Sequence, residues 1–237
     1  VDTDRVFTLR TVEDTFRIHK FIAENDVKSA VIAGGGYIGL EMAENLTEKG
    51  IRVTIVQRPN QVMAPLDYDM ACQLHGLLRK KGITLKFGSS VTGFEEKDSL
   101  ILTTLKDDEP LKSDLVILAI GVTPDTALAK DAGLALGIKG SIAVNERMET
   151  SAADVYAVGD AVQVKNFVTG EDALISLAGP ANKQGRIAAD NICGLKSSYD
   201  GSQGSSVIKI FDMTAATTGI NEKTAKQLGI DYDKVVL

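Results

Sequence analysis

The segment Ser29-Ala-Val-Ile-Ala-Gly-Gly-Gly-Tyr-Ile-Gly-Leu-Glu41 decides the fold. Its small and β-branched residues predict a short buried strand at residues 30–33. Gly34, Gly36 and Gly39 follow at the spacing G-x-G-x-x-G, and an apolar pattern typical of a helix begins directly after them. A second strand pattern covers residues 52–57. This order predicts a strand–turn–helix–strand unit.

The three glycines are typical of a turn that binds a dinucleotide. The first permits a tight turn, the second lets a pyrophosphate approach the backbone, and the third lets the helix pack closely on the strand. Free N–H groups at the helix N-terminus would hold the pyrophosphate, because the helix dipole favours negative charge there. The alternative is a glycine-rich turn without a ligand. The residues predicted to bind the nucleotide here are Gly34, Gly35, Gly36, Tyr37, Ile38 and Gly39.

The end of the second strand bears on the choice between NAD and NADP. An acidic side chain about twenty residues past the glycines normally binds the ribose 2′-hydroxyl of NAD. Neutral Gln57 stands there instead, followed by cationic Arg58. Gln57 and Arg58 are therefore candidate ribose contacts, and Arg58 either accepts a 2′-phosphate or is a solvated charge at the rim.

The composition excludes several classes of function. The 237 residues are 44% hydrophobic and 24% charged, as in ordinary globular proteins, and the formal net charge is −6. This charge argues against nucleic acid or an anionic membrane surface as a partner. No apolar run is long enough to span a membrane, no signal peptide is evident, and a cytoplasmic protein is expected.

Cys72 and Cys193 lack metal-binding spacing and are expected to be buried and inert. No metal site is predicted.

The remaining patterns predict an α/β fold with an antiparallel excursion. Thr11 is a candidate N-cap for a helix to residue 24, with Val12, Phe16, His19 and Ile22 on one face. A second helix is predicted at residues 67–81. Three short strands are predicted at 84–87, 91–95 and 100–105 as antiparallel neighbours, followed by a polar loop at 106–110 and a buried strand at 115–120.

Beyond about residue 145 the pattern changes. A strand is predicted at residues 154–158, and Pro180 lies in the first turn of a helix that extends to about residue 193. Residues 197–206 are rich in Ser and Gly and are predicted to be a linker. A strand pair at 207–211 and 215–219, a helix capped by Asn221, and a final strand from about Lys234 complete the expectation.

Several segments together resemble the pyridine nucleotide-disulfide oxidoreductases. They are residues 34–41 (GGGYIGLE), 118–124 (LAIGVTP), 150–161 (TSAADVYAVGDA) and 178–186 (AGPANKQGR), supported by 60–71 (NQVMAPLDYDMA). The resemblance points to the branch with coenzyme A-disulfide reductases, persulfide reductases and NADH oxidases.

The same resemblance implies the domain organisation. It comprises a Rossmann-like NAD(P)-binding domain with an antiparallel β-meander, part of a FAD-binding domain, and the start of an α+β dimerisation domain. The implied limits are 1–26 for a connecting segment of the FAD domain, 27–145 for the NAD(P) domain, 146–203 for the second part of the FAD domain, and 204–237 for the truncated dimerisation domain.

The resemblance also implies roles for individual residues. Tyr37 is similar to the aromatic residue that covers the nicotinamide pocket, and Glu41 to the carboxylate on the nicotinamide side of the flavin. Gly121 would leave room for the nicotinamide. The alternatives are core packing for Tyr37 and a surface charge for Glu41.

Four further residues are implied to contact FAD. They are Gly159, Asp160, Ala178 and Pro180. Asp160 would accept a hydrogen bond from the ribityl chain, although it could instead cap the next segment. The helix near Pro180 would direct its positive end at the flavin pyrimidine.

The implied activity is a relay of hydride from NAD(P)H to FAD, and of electrons onward to a disulfide, a persulfide, a peroxide or oxygen. The family's first flavin-binding glycine motif and redox cysteine have no counterpart in this chain. The chain is therefore expected to be an inactive fragment of a homodimeric, FAD-dependent enzyme. The alternatives are an NADH oxidase or peroxidase of the same family, and a non-catalytic module that binds NAD.

Overall fold

A computed structural model describes residues 3–237, which form two compact units. The first unit comprises the described residues up to Gly121 together with Ile208–Ala215. The second comprises Val122–Val207 and Ala216–Leu237. The four domain limits expected from the resemblance remain predictions.

The first unit contains a five-stranded parallel sheet of order β1-β8-β2-β3-β4. The strand predicted at the glycine turn and its neighbour are confirmed and pair in register from Ser29–Arg52 to Ala33–Val56. The buried strand predicted at 115–120 is also confirmed, although it ends at Leu118. The strands are β1 (Val6–Thr8), β2 (Ser29–Ala33), β3 (Arg52–Gln57), β4 (Thr84–Phe87) and β8 (Leu115–Leu118).

A three-stranded antiparallel sheet covers part of the parallel one. It consists of β5 (Val91–Lys97), β6 (Leu100–Leu105) and β7 (Asp108–Ser113), in that order. Two expectations are wrong here. The strand β4 joins the parallel sheet through β3 rather than the meander. The expected polar loop is instead the edge strand β7, where Pro110 is tolerated because an edge strand need not donate on its outer side.

Three helices complete the first unit: α1 (Val12–Glu24), α2 (Tyr37–Glu48) and α3 (Tyr68–Lys80). The predicted cap of α1 is confirmed, since Thr11 and Asp14 form a reciprocal capping box. The apolar face predicted for α1 is only partly correct, because Ile22 is half-buried against the core but His19 is exposed. Ile18 is the buried residue of this helix, whereas Val12 and Phe16 are mostly exposed.

The core of the first unit lies between the parallel sheet and its helices. Ile32 and Ile55 on the central strands are fully buried, as are Leu40 on α2 and Leu74 on α3. Ile208 and Ile210 join the same cluster. Because α2 packs on β2 through this core, its N-terminus is held at the end of the strand, where the glycines lie.

The second unit is built around α5 (Ala178–Ile192). Its other elements are α4 (Ala127–Asp131), a short 3-10 turn (Ile138–Gly140), β9 (Ile142–Ala143), β10 (Val162–Lys165), β11 (Asp172–Ala173) and α6 (Glu222–Leu228). The strands β12 (Ser206–Ile210) and β13 (Met213–Thr217) form a hairpin whose tip belongs to the first unit. The helices expected from Pro180 and after Asn221 are confirmed, although the first already begins at Ala178.

Several expectations for the second unit are wrong. Residues 154–158 form only an isolated bridge from Tyr156 to Glu149, and the described residues 230–237 contain no strand. The expected linker is packed, because Tyr199 within it is 4% exposed and donates its N–H to the Glu146 carbonyl. Cys193 is exposed at the end of α5 rather than buried.

Candidate functional site

The glycine turn forms a tight corner between β2 and α2. Gly34 has a φ of +112°, and a Cβ on it would lie 2.1 Å from the carbonyl oxygen of Ala119. A Cβ on Gly39 would lie 2.0 Å from the carbonyl oxygen of Gly34. Neither distance is compatible with a side chain. The first and third glycines therefore hold the strand, the turn and the helix in contact.

Gly36 differs from these two because open space lies next to it. It is the N-cap of α2, and a Cβ placed on it would meet nothing within 4 Å. Among the described residues, the N–H groups of Gly36, Ile38 and Gly39 have no hydrogen-bond acceptor. These donors lie at the positive end of the helix dipole, which suits an anion such as a pyrophosphate.

The N–H of Gly35 is not available to a ligand. It donates to the side-chain oxygen Oε1 of Gln57 at 2.9 Å. The Nε2 of Gln57 donates in turn to the Gln61 carbonyl at 3.2 Å. Both ends of the Gln57 amide are thus used to connect the glycine turn with the loop that follows β3.

The loop after β3 also encloses Gly35 from its other side. The N–H of Met63 donates to the Gly35 carbonyl at 2.8 Å. A Cβ on Gly35 would lie 2.8 Å from Cγ1 of Val62. Because of this tight contact the loop is part of the site, although its sequence contains no nucleotide-binding motif of the kind found at the glycine turn.

His75 on α3 supports this loop. Its Nε2 accepts a hydrogen bond from the N–H of Val62 at 3.2 Å, and its ring centroid lies 4.7 Å from that of Phe87. Burial of the ring, helped by the nearby positive charge of Arg79, lowers the pKa of His75. The neutral form that accepts this hydrogen bond is therefore favoured.

A pocket of about 560 Å³ opens beside the glycine turn. Apolar side chains such as Val91 and Phe94 supply part of its wall, and Arg58 is the only charged side chain among the described residues that line it. Arg58 is exposed and has no ion-pair partner within the described part of the chain. The lining residues are Ala33, Gly34, Gly35, Gly36, Val56, Gln57, Arg58, Pro59, Ser89, Ser90, Val91, Phe94, Leu118, Ala119, Ile120 and Gly121.

Ser89 is a polar residue of this pocket that lacks a partner. It is 5% exposed, and its hydroxyl has no hydrogen-bond partner in the described structure. An unpaired buried polar group costs about 1–3 kcal/mol, so such groups often mark a place where a ligand binds. Sequence patterns did not indicate Ser89, because it lies in an ordinary Gly-Ser-Ser turn.

Tyr37 and Glu41 lie on one face of α2, four residues apart. Tyr37 is half-buried and packs partly against the core, while Glu41 is exposed. Neither residue lines the pocket beside the glycine turn, whereas Gly121 does. Their predicted roles next to nicotinamide and flavin thus remain predictions.

The four residues implied to contact FAD lie in the second unit. Gly159 has a φ of +89° and donates its N–H to Oε1 of the buried Gln184 at 2.7 Å. The Asp160 side chain next to it is exposed and has no partner in the described structure. Ala178 begins α5, and Pro180 lies in its first turn. A free carboxylate and an uncapped helix N-terminus both fit polar groups of a flavin.

No group of three or more His, Cys, Asp or Glu side chains in the described residues could hold a metal ion. Likewise, within residues 3–237 there is no helix with the length and apolar character to cross a membrane.

Comparison with known proteins identifies the family. Residues 1–185 match the family described as "pyridine nucleotide-disulphide oxidoreductase". The chain belongs to this family. Members of the pyridine nucleotide-disulphide oxidoreductase family depend on FAD and NAD(P)H.

Individual members of the family are similar over nearly the whole chain. The NAD(P)H sulfur oxidoreductase (CoA-dependent) of Pyrococcus abyssi is 36% identical over 98% of this chain and 52% of its own length. The NADH oxidase of Methanocaldococcus jannaschii is 39% identical over 94% of this chain and 50% of its own. Other curated relatives are named coenzyme A disulfide reductases.

A crystal structure of reduced Bacillus anthracis CoADR-RHD has the same fold, with a TM-score of 0.93 and 49% identity over 97% of this chain and 41% of that one. The chain spans about half the length of the curated relatives it matches. The resemblance inferred from the motifs is thereby confirmed, as is the α/β fold class.

Proposed function

We propose that the first unit binds the pyrophosphate of NAD(P)H on the N-terminus of α2. The observation that supports this most is the set of unpaired N–H groups of Gly36, Ile38 and Gly39 beside a pocket large enough for half a dinucleotide. Gly34 and Gly39 support the corner sterically. Gly35 acts through its bond to Gln57 and not as a direct ligand.

The whole protein is proposed to be a flavin-dependent NAD(P)H:disulfide oxidoreductase of the coenzyme A-disulfide reductase type. Its relatives' names, which include CoA-dependent sulfur oxidoreductase and coenzyme A disulfide reductase, support a disulfide or persulfide as acceptor. When bound, NAD(P)H and FAD supply the hydride and electron chemistry. This chain's residues bind and orient them.

The role of each residue follows from its surroundings. The amides of α2 would hold the diphosphate, and Gly121 would leave space beside it. Asp160, with an unpartnered carboxylate, would accept a hydrogen bond from a ribityl hydroxyl. The first turn of α5, at Ala178 and Pro180, would favour negative charge on the flavin pyrimidine. Tyr37 and Glu41 would act on the nicotinamide side.

A second candidate is an NADH oxidase or peroxidase of the same family, and the name of the Methanocaldococcus relative favours the oxidase. The acceptor would then be oxygen or a peroxide. A module that binds NAD without catalysis is the third candidate.

Homodimer formation and a cytoplasmic location are part of the main proposal. Homodimer formation is proposed because residues 204–237 resemble the start of a dimerisation domain. Nucleic acid and membranes are not proposed partners because the chain is acidic.

Titration of the purified 237-residue chain with NADH and NADPH tests this function. Saturable binding of at least one nucleotide is expected. The binding would be detected as a quenching or enhancement of the nucleotide's fluorescence. Added FAD and coenzyme A disulfide are expected to give no steady oxidation of the nucleotide by this chain alone. Absence of binding to both nucleotides would contradict the proposal, and steady turnover would contradict the expectation that the chain alone is inactive.

A further inference from the structure

The pocket beside the glycine turn carries a chemical preference that the family membership does not assign. Gln57 occupies the place where a carboxylate would accept the ribose hydroxyls of NAD. Its Oε1 is used by the Gly35 N–H and its Nε2 by the Gln61 carbonyl. A ribose hydroxyl would therefore have to share Oε1 or Nε2 with a bond that already fixes the direction of the amide. No carboxylate lines the pocket among the described residues.

Arg58 follows directly, and no Asp or Glu among the described residues lines the pocket beside it. It is exposed, has no ion pair in the described part of the chain, and carries the only charge among the lining residues. A guanidinium binds phosphate through two parallel hydrogen bonds, and these charge-assisted bonds are stronger than neutral ones. The local charge therefore favours a ligand with an added phosphate.

Ser89 lies next to the same strand end. Its N–H donates to the Gln57 carbonyl at 3.4 Å, and the N–H of Gly88 donates to the Pro59 carbonyl at 3.5 Å. These two bonds hold the Gly88–Ser89 turn alongside the residues that flank Arg58. The buried hydroxyl of Ser89 has no partner in the described structure. A phosphate oxygen would supply the missing acceptor.

We infer that this pocket selects a 2′-phosphorylated adenosine, so that NADPH is bound in preference to NADH, with Arg58 and Ser89 on the 2′-phosphate. The inference rests on the proposed function, since it concerns the nucleotide that the glycine turn would hold. Gln57 supports the preference indirectly, because it fixes the turn without placing a negative charge near the phosphate.

The test is the ratio of dissociation constants for NADH and NADPH, measured by fluorescence titration of the 237-residue chain. A ratio of at least about ten is expected, and Arg58→Ala should reduce it about tenfold or more. Ser89→Ala should also reduce it without lowering resistance to urea, because the hydroxyl has no partner to lose and its unpaired burial is unfavourable. Arg52→Ala is the matched control: it removes an exposed arginine at the opposite end of β3 and should leave the ratio unchanged.

Three fragments test which part of the nucleotide is recognised. Adenosine 2′,5′-bisphosphate should compete with NADPH at least about tenfold better than adenosine 5′-monophosphate or adenosine 3′,5′-bisphosphate. Equal competition by the 2′- and 3′-isomers would overturn the inference, as would a ratio near one or an Arg58→Ala variant that keeps the preference. In those cases NADH still binds, and the proposed function stands. If neither NADH nor NADPH binds, the proposed function itself fails.

Discussion

The side-chain oxygen of Gln57 accepts a hydrogen bond from the backbone N–H of Gly35 at 2.9 Å. The two residues are 22 positions apart in the sequence. This bond connects the glycine turn after β2 with the end of β3, and the second end of the amide connects the turn with the loop at Gln61. A residue expected to contact the ribose therefore has a structural role in shaping the site.

Gln57→Leu should destabilise the chain. The buried N–H of Gly35 would lose its acceptor, at a cost of about 1–3 kcal/mol in the free energy of unfolding. Urea denaturation would measure this loss. Gln57→Glu is the control, because a carboxylate still accepts from Gly35 and loses only the bond to Gln61. An equal loss for Glu and Leu would show that the Gly35 bond is not the important one.

Substitution of the second glycine of the turn should affect nucleotide binding alone, whereas substitution of the third should affect stability as well. In Gly36→Ala the new Cβ meets nothing within 4 Å, so unfolding should change by less than about 1 kcal/mol. The Cβ would nevertheless stand beside the free amides, and nucleotide affinity should fall at least about tenfold. Parallel urea and nucleotide titrations would measure both effects.

Gly39→Ala is the counterpart. Its Cβ would lie 2.0 Å from the Gly34 carbonyl oxygen, so α2 must move away from β2. A loss of about 1–3 kcal/mol or more in stability is expected, together with loss of nucleotide binding. A Gly39→Ala chain as stable as the original would contradict the close contact seen here.

His75 should make stability depend on pH. Its pKa is lowered in the folded chain, chiefly by burial, so the unfolded chain binds its proton first as the pH falls. The contribution of His75 is therefore fully present above its ordinary pKa of about 6.5 and is lost as the pH falls through the lowered value. Urea midpoints measured between pH 8 and pH 5 should decrease accordingly.

The other histidine provides the control for this experiment. His75→Gln should flatten the decrease near pH 6, whereas His19→Gln, which changes an exposed residue on α1, should leave its slope intact. If His19→Gln removed the slope and His75→Gln did not, the assignment to His75 would be wrong.

Asn191 should be important for the second unit. Its Nδ2 donates to the carbonyls of Ile187 and Ser197 at 2.9 and 2.8 Å, and so fixes the segment that follows α5. Asn191→Ala should cost about 1–3 kcal/mol because buried polar groups lose their partners. The exposed Asn182 on the same helix has no such bonds in the described structure, and Asn182→Ala should change stability by less than about 0.5 kcal/mol. Similar losses for both variants in urea denaturation would contradict this role.

Local patterns predicted much of the fold correctly. Four features follow from contiguous residues: the corner at residues 29–41, the cap at Thr11, the second strand at residues 52–57 and the helix that contains Pro180. Errors occurred where a partner is distant in sequence. The strand β4 was expected beside its next neighbour in the chain but pairs with β3, and Ile18 rather than Val12 and Phe16 is buried.

The sequence by itself determined the glycine corner, because the steric demands of a tight turn and of close helix packing fall on Gly34, Gly36 and Gly39 at fixed spacing. Only the tertiary structure decided which polar groups surround it. Gln57 reaches Gly35, His75 supports Val62, and Ser89 lies alongside Gln57 because parallel pairing brings the ends of β2, β3 and β4 together. Such contacts depend on strand order and side-chain direction, which no local pattern specifies.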